Sequence, residues 1–155
     1  MRLSHQLAKH FKEVFFGGNW TVVNLNDTLS DVSWKQATTN VNDLNSIAVL
    51  TYHIGYFVSA ILPVLQGAAL DAHDKFSFDC PPIQSEEDWN HLKTKILNEA
   101  QQCVLLIEQL PANKIAANFT DEKYGTYYRN IHGLIEHTHY HLGQISLIKK
   151  IIPPV

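Results

Sequence analysis

Apolar residues recur at helical spacing along nearly the whole chain, and no segment sustains the apolar–polar alternation of a half-buried strand. That pattern confines the chain to an all-α class. It is most constraining between Ile47 and Leu65, the most apolar part of the sequence, which holds no acid, lysine or arginine. Thr51, His53 and Ser59 interrupt this stretch, so no unbroken run reaches the roughly eighteen apolar residues that cross a bilayer.

The spacing predicts a first helix from about Leu3 to Val14, stopping near Gly17-Gly18. Met1 to Phe16 carries His5, Lys9, His10, Lys12 and Glu13 among its apolar residues, the pattern of an amphipathic helix rather than a signal peptide. A short element from about Leu25 to Ala37 follows, with Asn24 or Asn26 as its cap. The third helix runs from about Asp43 to Gly67, with Pro63 as a kink point near its end. Asp71 to Ser85 reads as a loop broken by Asp71, Asp74, Cys80, Pro81 and Pro82.

Ser85-Glu86-Glu87-Asp88 has the form of a helix start, a hydroxyl cap followed by acids that suit the helix dipole. That helix extends to Leu110 and stops at Pro111. A second loop, Ala112 to Asp121, leads into a last helix from about Glu122 to Ile151. Lys149 and Lys150 fall in its final turn, and Pro153-Pro154 ends it. Three long helices and one at the N-terminus predict a four-helix bundle with one short additional helix, in a single domain over residues 1–155.

Composition narrows the functional classes. With 155 residues, 45% of them hydrophobic, the chain is long enough to bury a substantial core. The formal net charge is −3 and no basic run exceeds Lys149-Lys150, which disfavours a nucleic-acid surface. Cys80 and Cys103 show no disulfide-scaffold spacing, so two free thiols in a reducing cytoplasm are expected.

Nine histidines are many for this length. His137 and His141 are four apart and lie one above the other on a helix, which lets two imidazoles reach one ion. Alone the signal is weak, because nine histidines placed at random give about 0.5 such pairs. Ile131, Leu134, Ile135, Thr138, Leu142 and Ile145 define the buried arc of this helix, and the pair falls on its border. His132 and His139 fall toward the opposite, solvated side. Gln144 follows on nearly the same face as His137, and Gly143 either permits close helix approach or is a packing glycine.

His53 is the one histidine inside the long apolar helix, where an unsatisfied ionisable group costs free energy. Two readings stand for it: a neutral core histidine bonded to a carbonyl or a tyrosine, or a ligand. His5, His10, His73 and His91 are expected in solvent.

His137-Thr138-His139-Tyr140-His141-Leu142-Gly143-Gln144-Ile145, followed by Ile148 and Lys149-Lys150, resembles the C-terminal H-x-x-x-H-x-G-Q-I signature of the DinB-like superfamily. Ile47 to Phe57, with His53 in its middle, resembles that family's motif on the second bundle helix. Phe16-Gly17-Gly18-Asn19-Trp20 is similar to an N-terminal feature of one uncharacterised branch. The resemblance implies a four-helix bundle, often dimeric, with a three-histidine site for zinc, nickel or a similar divalent ion at His53, His137 and His141. Some members are metal-dependent enzymes acting with low-molecular-weight thiols on a second small substrate. DNA binding is not implied, and the apolar run lengths give no expectation of a membrane partner.

Three neutral imidazoles leave an ion its full charge and at least one open position, so it can lower the pKa of water or hold a thiolate. Tyr56 and Gln144, each one turn beyond a histidine, are the candidates for supporting hydrogen bonds, whereas Glu136 points about 100° away from His137. Two rival metal readings fail. Glu136-x-x-His139 formally matches a carboxylate-bridged di-iron motif, but the helix from Ile47 to Leu65 has no acid to complete it. A zinc protease needs Glu directly after the first histidine, where Thr138 stands. Cys103 has no local base and is expected to be packed. With what the resemblance implies, the expected function is a metal-dependent thiol transferase or hydrolase-like enzyme; the alternative is a non-catalytic dimeric bundle with a structural metal or a small-ligand module.

Overall fold

The computed structural model describes residues 2–153, which form seven α-helices and two short 3-10 turns, with no strand among the described residues. The helices are α1 (Leu3–Phe16), α2 (Leu25–Leu29), α3 (Trp34–Thr38), α4 (Ile47–Leu65), α5 (Glu86–Gln109), α6 (Ala112–Ala116) and α7 (Tyr127–Ile151). α1 packs against α5 and α7, and α4 packs against the same two helices. Their apolar faces meet in one core that includes Phe11, Phe15, Ile54, Trp89, Ile107, Ile131 and Ile145.

By length and composition α4 is apolar enough to cross a membrane, despite the polar interruptions that argued otherwise; here 56% of its most apolar window is buried against the rest of the chain. Side-chain caps set most helix starts. Asn24, not Asn26, caps α2 by accepting the Asp27 amide at 2.9 Å. Ser46 caps α4, which therefore starts at Ile47, with residues 41–44 in a turn containing Asn42 at φ 48°. Pro63 sits in the last turn of α4, where its missing amide withholds the helical bond to the Ser59 carbonyl, and the helix ends two residues later. Ser85 caps α5 as expected, accepting the Asp88 amide at 3.0 Å.

Two expected boundaries shift for local reasons. The element from Leu25 to Ala37 is two helices, because Ser33 and Gln36 form a capping box that restarts the chain at Trp34. Trp89 ties this restart to α5 by donating from its indole to the Val32 carbonyl at 2.7 Å. The last helix begins at Tyr127 rather than Glu122. Glu122–Tyr124 is a 3-10 turn, Gly125 follows at φ 73°, and Thr126 caps the helix proper. α6 occupies part of the stretch read as a second loop. Lys149 bonds the Thr28 carbonyl at 2.9 Å and pairs with Asp31, fastening α2 to the end of α7. Pro153 follows α7; Pro154 lies outside the described residues.

The glycine that allows close helix approach is Gly55, not Gly143. A Cβ on Gly55 would fall 2.4 Å from Ile96 Cγ1 of α5, whereas nothing lies within 4 Å of one on Gly143. Gly55→Ala is therefore expected to destabilise by about 1–2 kcal/mol, since overpacking outweighs the gain in helix propensity. Gly143→Ala should instead stabilise by about 0.5–1 kcal/mol. Urea unfolding of the two variants beside the parent checks both signs.

Candidate metal centre

His53 comes from the middle of α4, and His137 and His141 come from successive turns of α7. His137 Nε2 lies 2.9 Å from His53 Nε2 and 3.1 Å from His141 Nε2. One ligand atom from each of the three lies within 4.8 Å of the others, so the group can hold a metal ion. Nitrogens bound tetrahedrally to an ion at ~2.0–2.1 Å sit ~3.3 Å apart, close to the separations seen. His53 and His141 are buried and His137 is half-buried.

The far side of two rings is committed. His53 Nδ1 lies 3.2 Å from the Ser77 carbonyl, which only accepts, so Nδ1 carries the proton and Nε2 is bare. His141 Nδ1 lies 2.7 Å from Gln144 Oε1. The Gln144 amide nitrogen donates to the Tyr140 hydroxyl at 3.3 Å, which keeps the amide oxygen toward the ring. His141 Nε2 is therefore bare as well. His137 Nδ1 is buried without a hydrogen-bond partner among the described residues. If His137 carries its proton on Nε2, it can donate to only one of the two facing nitrogens. If it carries it on Nδ1, three lone pairs converge on one point.

Burial holds all three rings neutral, the form that can bind a metal. Desolvation lowers His137 to about 4, with the neighbouring His141 and His53 charges adding to it. His53 and His141 are also lowered, in each case chiefly by desolvation.

Aromatic rings enclose the cluster. Phe78 stacks on His53 with centroids 3.8 Å apart, Phe57 meets His53 and His137 edge-on at 5.1 and 4.8 Å, and Tyr140 meets His141 at 4.9 Å. On the α7 side a cleft of about 650 Å³ opens beside His137.

Gln144 is therefore brought to the histidines, and Tyr56 is not. The Tyr56 hydroxyl donates to the His73 carbonyl and accepts the His73 amide, both at 2.9 Å. Glu136 is exposed and faces His132 at 3.5 Å. His132 and His139 are half-buried rather than fully solvated, while His5, His10, His73 and His91 are exposed. Cys80 and Cys103 are free thiols, and burial pushes Cys103 up to about 12, so it is an inert packed residue.

Ser77, Phe78 and Phe57 were not anticipated. Phe57 stands one helical turn after His53, a spacing that could have revealed it. Ser77 and Phe78 lie in a loop without periodicity, so nothing local marks them.

In the metal-free protein these lowered values link stability to pH. A histidine with a depressed folded value takes up its proton more readily when unfolded, so stability is present above about 6.5 and falls as pH drops. Between pH 6.5 and 4 the metal-free protein is expected to lose on the order of 1–2 kcal/mol through His137, after discounting for solvent screening. His137→Gln should flatten that pH dependence in thermal unfolding of chelator-treated protein; an unchanged slope would contradict it.

No family model, curated protein or solved structure matches this chain.

Proposed function

We propose that this chain is a single-domain, DinB-like four-helix bundle that holds one divalent metal ion through Nε2 of His53, His137 and His141. Its four bundle helices would be α1, α4, α5 and α7. One observation carries the reading: the Ser77 carbonyl and the Gln144 amide commit two rings to present bare nitrogens toward a third imidazole about 3 Å away. Lone pairs at that distance repel unless a proton or a cation lies between them, and one proton cannot serve both contacts. A single cation relieves all three. Three neutral imidazoles suit zinc or nickel, borderline ions that favour nitrogen.

The function we assign is metal-dependent catalysis of the thiol-transferase or hydrolase-like kind, on a low-molecular-weight thiol and a second small substrate. When bound, the ion would supply positive charge that lowers the pKa of a thiol or water beside it. The chain's own residues hold the site ready for that. Ser77 and Gln144 fix ring protons away from the centre, Phe57 and Phe78 exclude water from His53, and the cleft beside His137 admits a small molecule. We place the protein in the cytoplasm as a homodimer acting on neither nucleic acid nor membrane, in line with its net charge of −3 and absence of basic clusters. The deep burial of His53 and His141 favours a second reading, in which the ion is structural and the bundle non-catalytic.

Metal analysis of protein purified without a polyhistidine tag tests the site. The parent should carry about one equivalent of zinc or nickel per chain, and His137→Ala should carry far less, because the cluster then keeps only two of its ligands. Saturating metal at about a hundred times its dissociation constant should stabilise the parent by about 2.7 kcal/mol and leave His137→Ala almost unmoved. A metal-free parent, or equal metal in both proteins, sinks the reading.

A further inference from the structure

The cleft between α4 and α7 has a register of its own. Arg129, Gly133 and His137 are four residues apart on α7, so each lies one turn beyond the last with a drift of ~40°. All three line the cleft. Gly133 presents no side chain, and nothing lies within 4 Å of where its Cβ would stand. The floor between the arginine and the histidine is thus open, while Phe57 and Ile61 of α4 and Tyr128 of α7 supply apolar walls.

The two ends of this floor differ in chemistry. At one end is the half-buried His137. At the other, the stem of Arg129 lies on Gly125, where an added Cβ would come within 2.7 Å of the arginine Cδ. The Arg129 guanidinium makes no ion pair and no side-chain hydrogen bond among the described residues. The neighbouring polar groups are engaged: His132 faces Glu136 at 3.5 Å, and the Asn130 amide donates to the Tyr124 and Thr126 carbonyls. Arg129 is therefore the one cation of the cleft with its donors free.

We propose that this cleft binds an extended small molecule with an anionic tip, of the carboxylate type, held by Arg129, with its apolar middle over Gly133 and its other end at the histidines. The planar guanidinium fork matches a carboxylate in two parallel hydrogen bonds. The rise along α7 between the two ends is ~12 Å, so a compact molecule cannot reach both. The assignment names the substrate class of the proposed metal site and rests on that reading only at its His137 end.

The test titrates zinc-loaded protein with mercaptoundecanoate, with mercaptoundecanol of equal length, and with the short mercaptopropionate, following the Arg129 side-chain and Gly133 amide signals by heteronuclear NMR. The long carboxylate should bind about five- to tenfold more tightly than the alcohol, and Arg129→Gln should remove that difference. Lys150→Gln, which removes a cation elsewhere on α7, should leave it intact. Gly133→Leu, whose side chain has free space to enter, should block both long probes and still fold. Equal binding of acid and alcohol, no loss in Arg129→Gln, or retained binding in Gly133→Leu would overturn the proposal. Undecanoate without a thiol, titrated into chelator-treated protein, separates the two readings. Arg129-dependent shifts there support the anionic end even if the protein binds no metal, and their absence overturns it.

Discussion

A histidine in the middle of an otherwise uncharged helix has to remain neutral and has to engage both of its ring nitrogens, and His53 meets both demands at once. Burial keeps it neutral, the Ser77 carbonyl takes the proton on Nδ1, and Nε2 is left facing His137. Much of the surrounding structure follows from this ring. The loop after α4 must return across the helix to place the Ser77 carbonyl, and that return stacks Phe78 on the imidazole. α7 must lie close enough to α4 to bring its own imidazoles within 3 Å. On its opposite flank α4 is drawn tightly to α5, where Gly55 leaves room for Ile96 and no more.

The two readings that the sequence leaves open for His53 describe the same arrangement from its two sides. A neutral core histidine bonded to a carbonyl and a histidine presenting a bare nitrogen to its neighbours are compatible, because the ring has two nitrogens with distinct partners. His141 repeats the logic with Gln144 in place of a carbonyl. His137 differs, since its Nδ1 is buried and unpartnered among the described residues, so no far-side acceptor fixes its tautomer. This asymmetry makes His137 the responsive member of the three. Its proton affinity is depressed by burial to about 4, and it lines the cleft.

Legibility of the sequence follows the range of the interactions involved. The buried arc of α7, the start of α5 at Ser85, and the pairing of His137 with His141 are set within one or two turns, so periodicity and capping chemistry reveal them. The break between α2 and α3 is also local, but Ser33 and Gln36 sit inside an apolar pattern that reads through it. The start of α7 slips for a similar reason. Glu122 to Tyr124 does turn helically, and Gly125 at positive φ followed by the extended cap residue Thr126 separates it from the helix proper. Ser77 and Phe78 reach the site from 24 and 25 residues away through a loop, where no spacing rule applies. The same holds for the glycines: whether Gly55 or Gly143 meets a neighbouring helix depends on which face α5 covers, a tertiary fact.

α7 carries two of the three clustered histidines and the arginine of the cleft because a four-residue spacing repeats along one of its faces. Arg129, Gly133, His137 and His141 form a single stripe, with Gln144 behind the last of them. Each step drifts by ~40°, so over twelve residues the stripe turns from the solvent edge at Arg129 into the core at His141. That drift grades the environment from an exposed guanidinium, across an open glycine, to a half-buried and then a buried imidazole. This register, together with α4 and the loop that carries Ser77 and Phe78, sets an exposed cation and a desolvated histidine cluster on one helix. The anionic tip and the far end of the proposed ligand need opposite solvation, and one helical register would supply both.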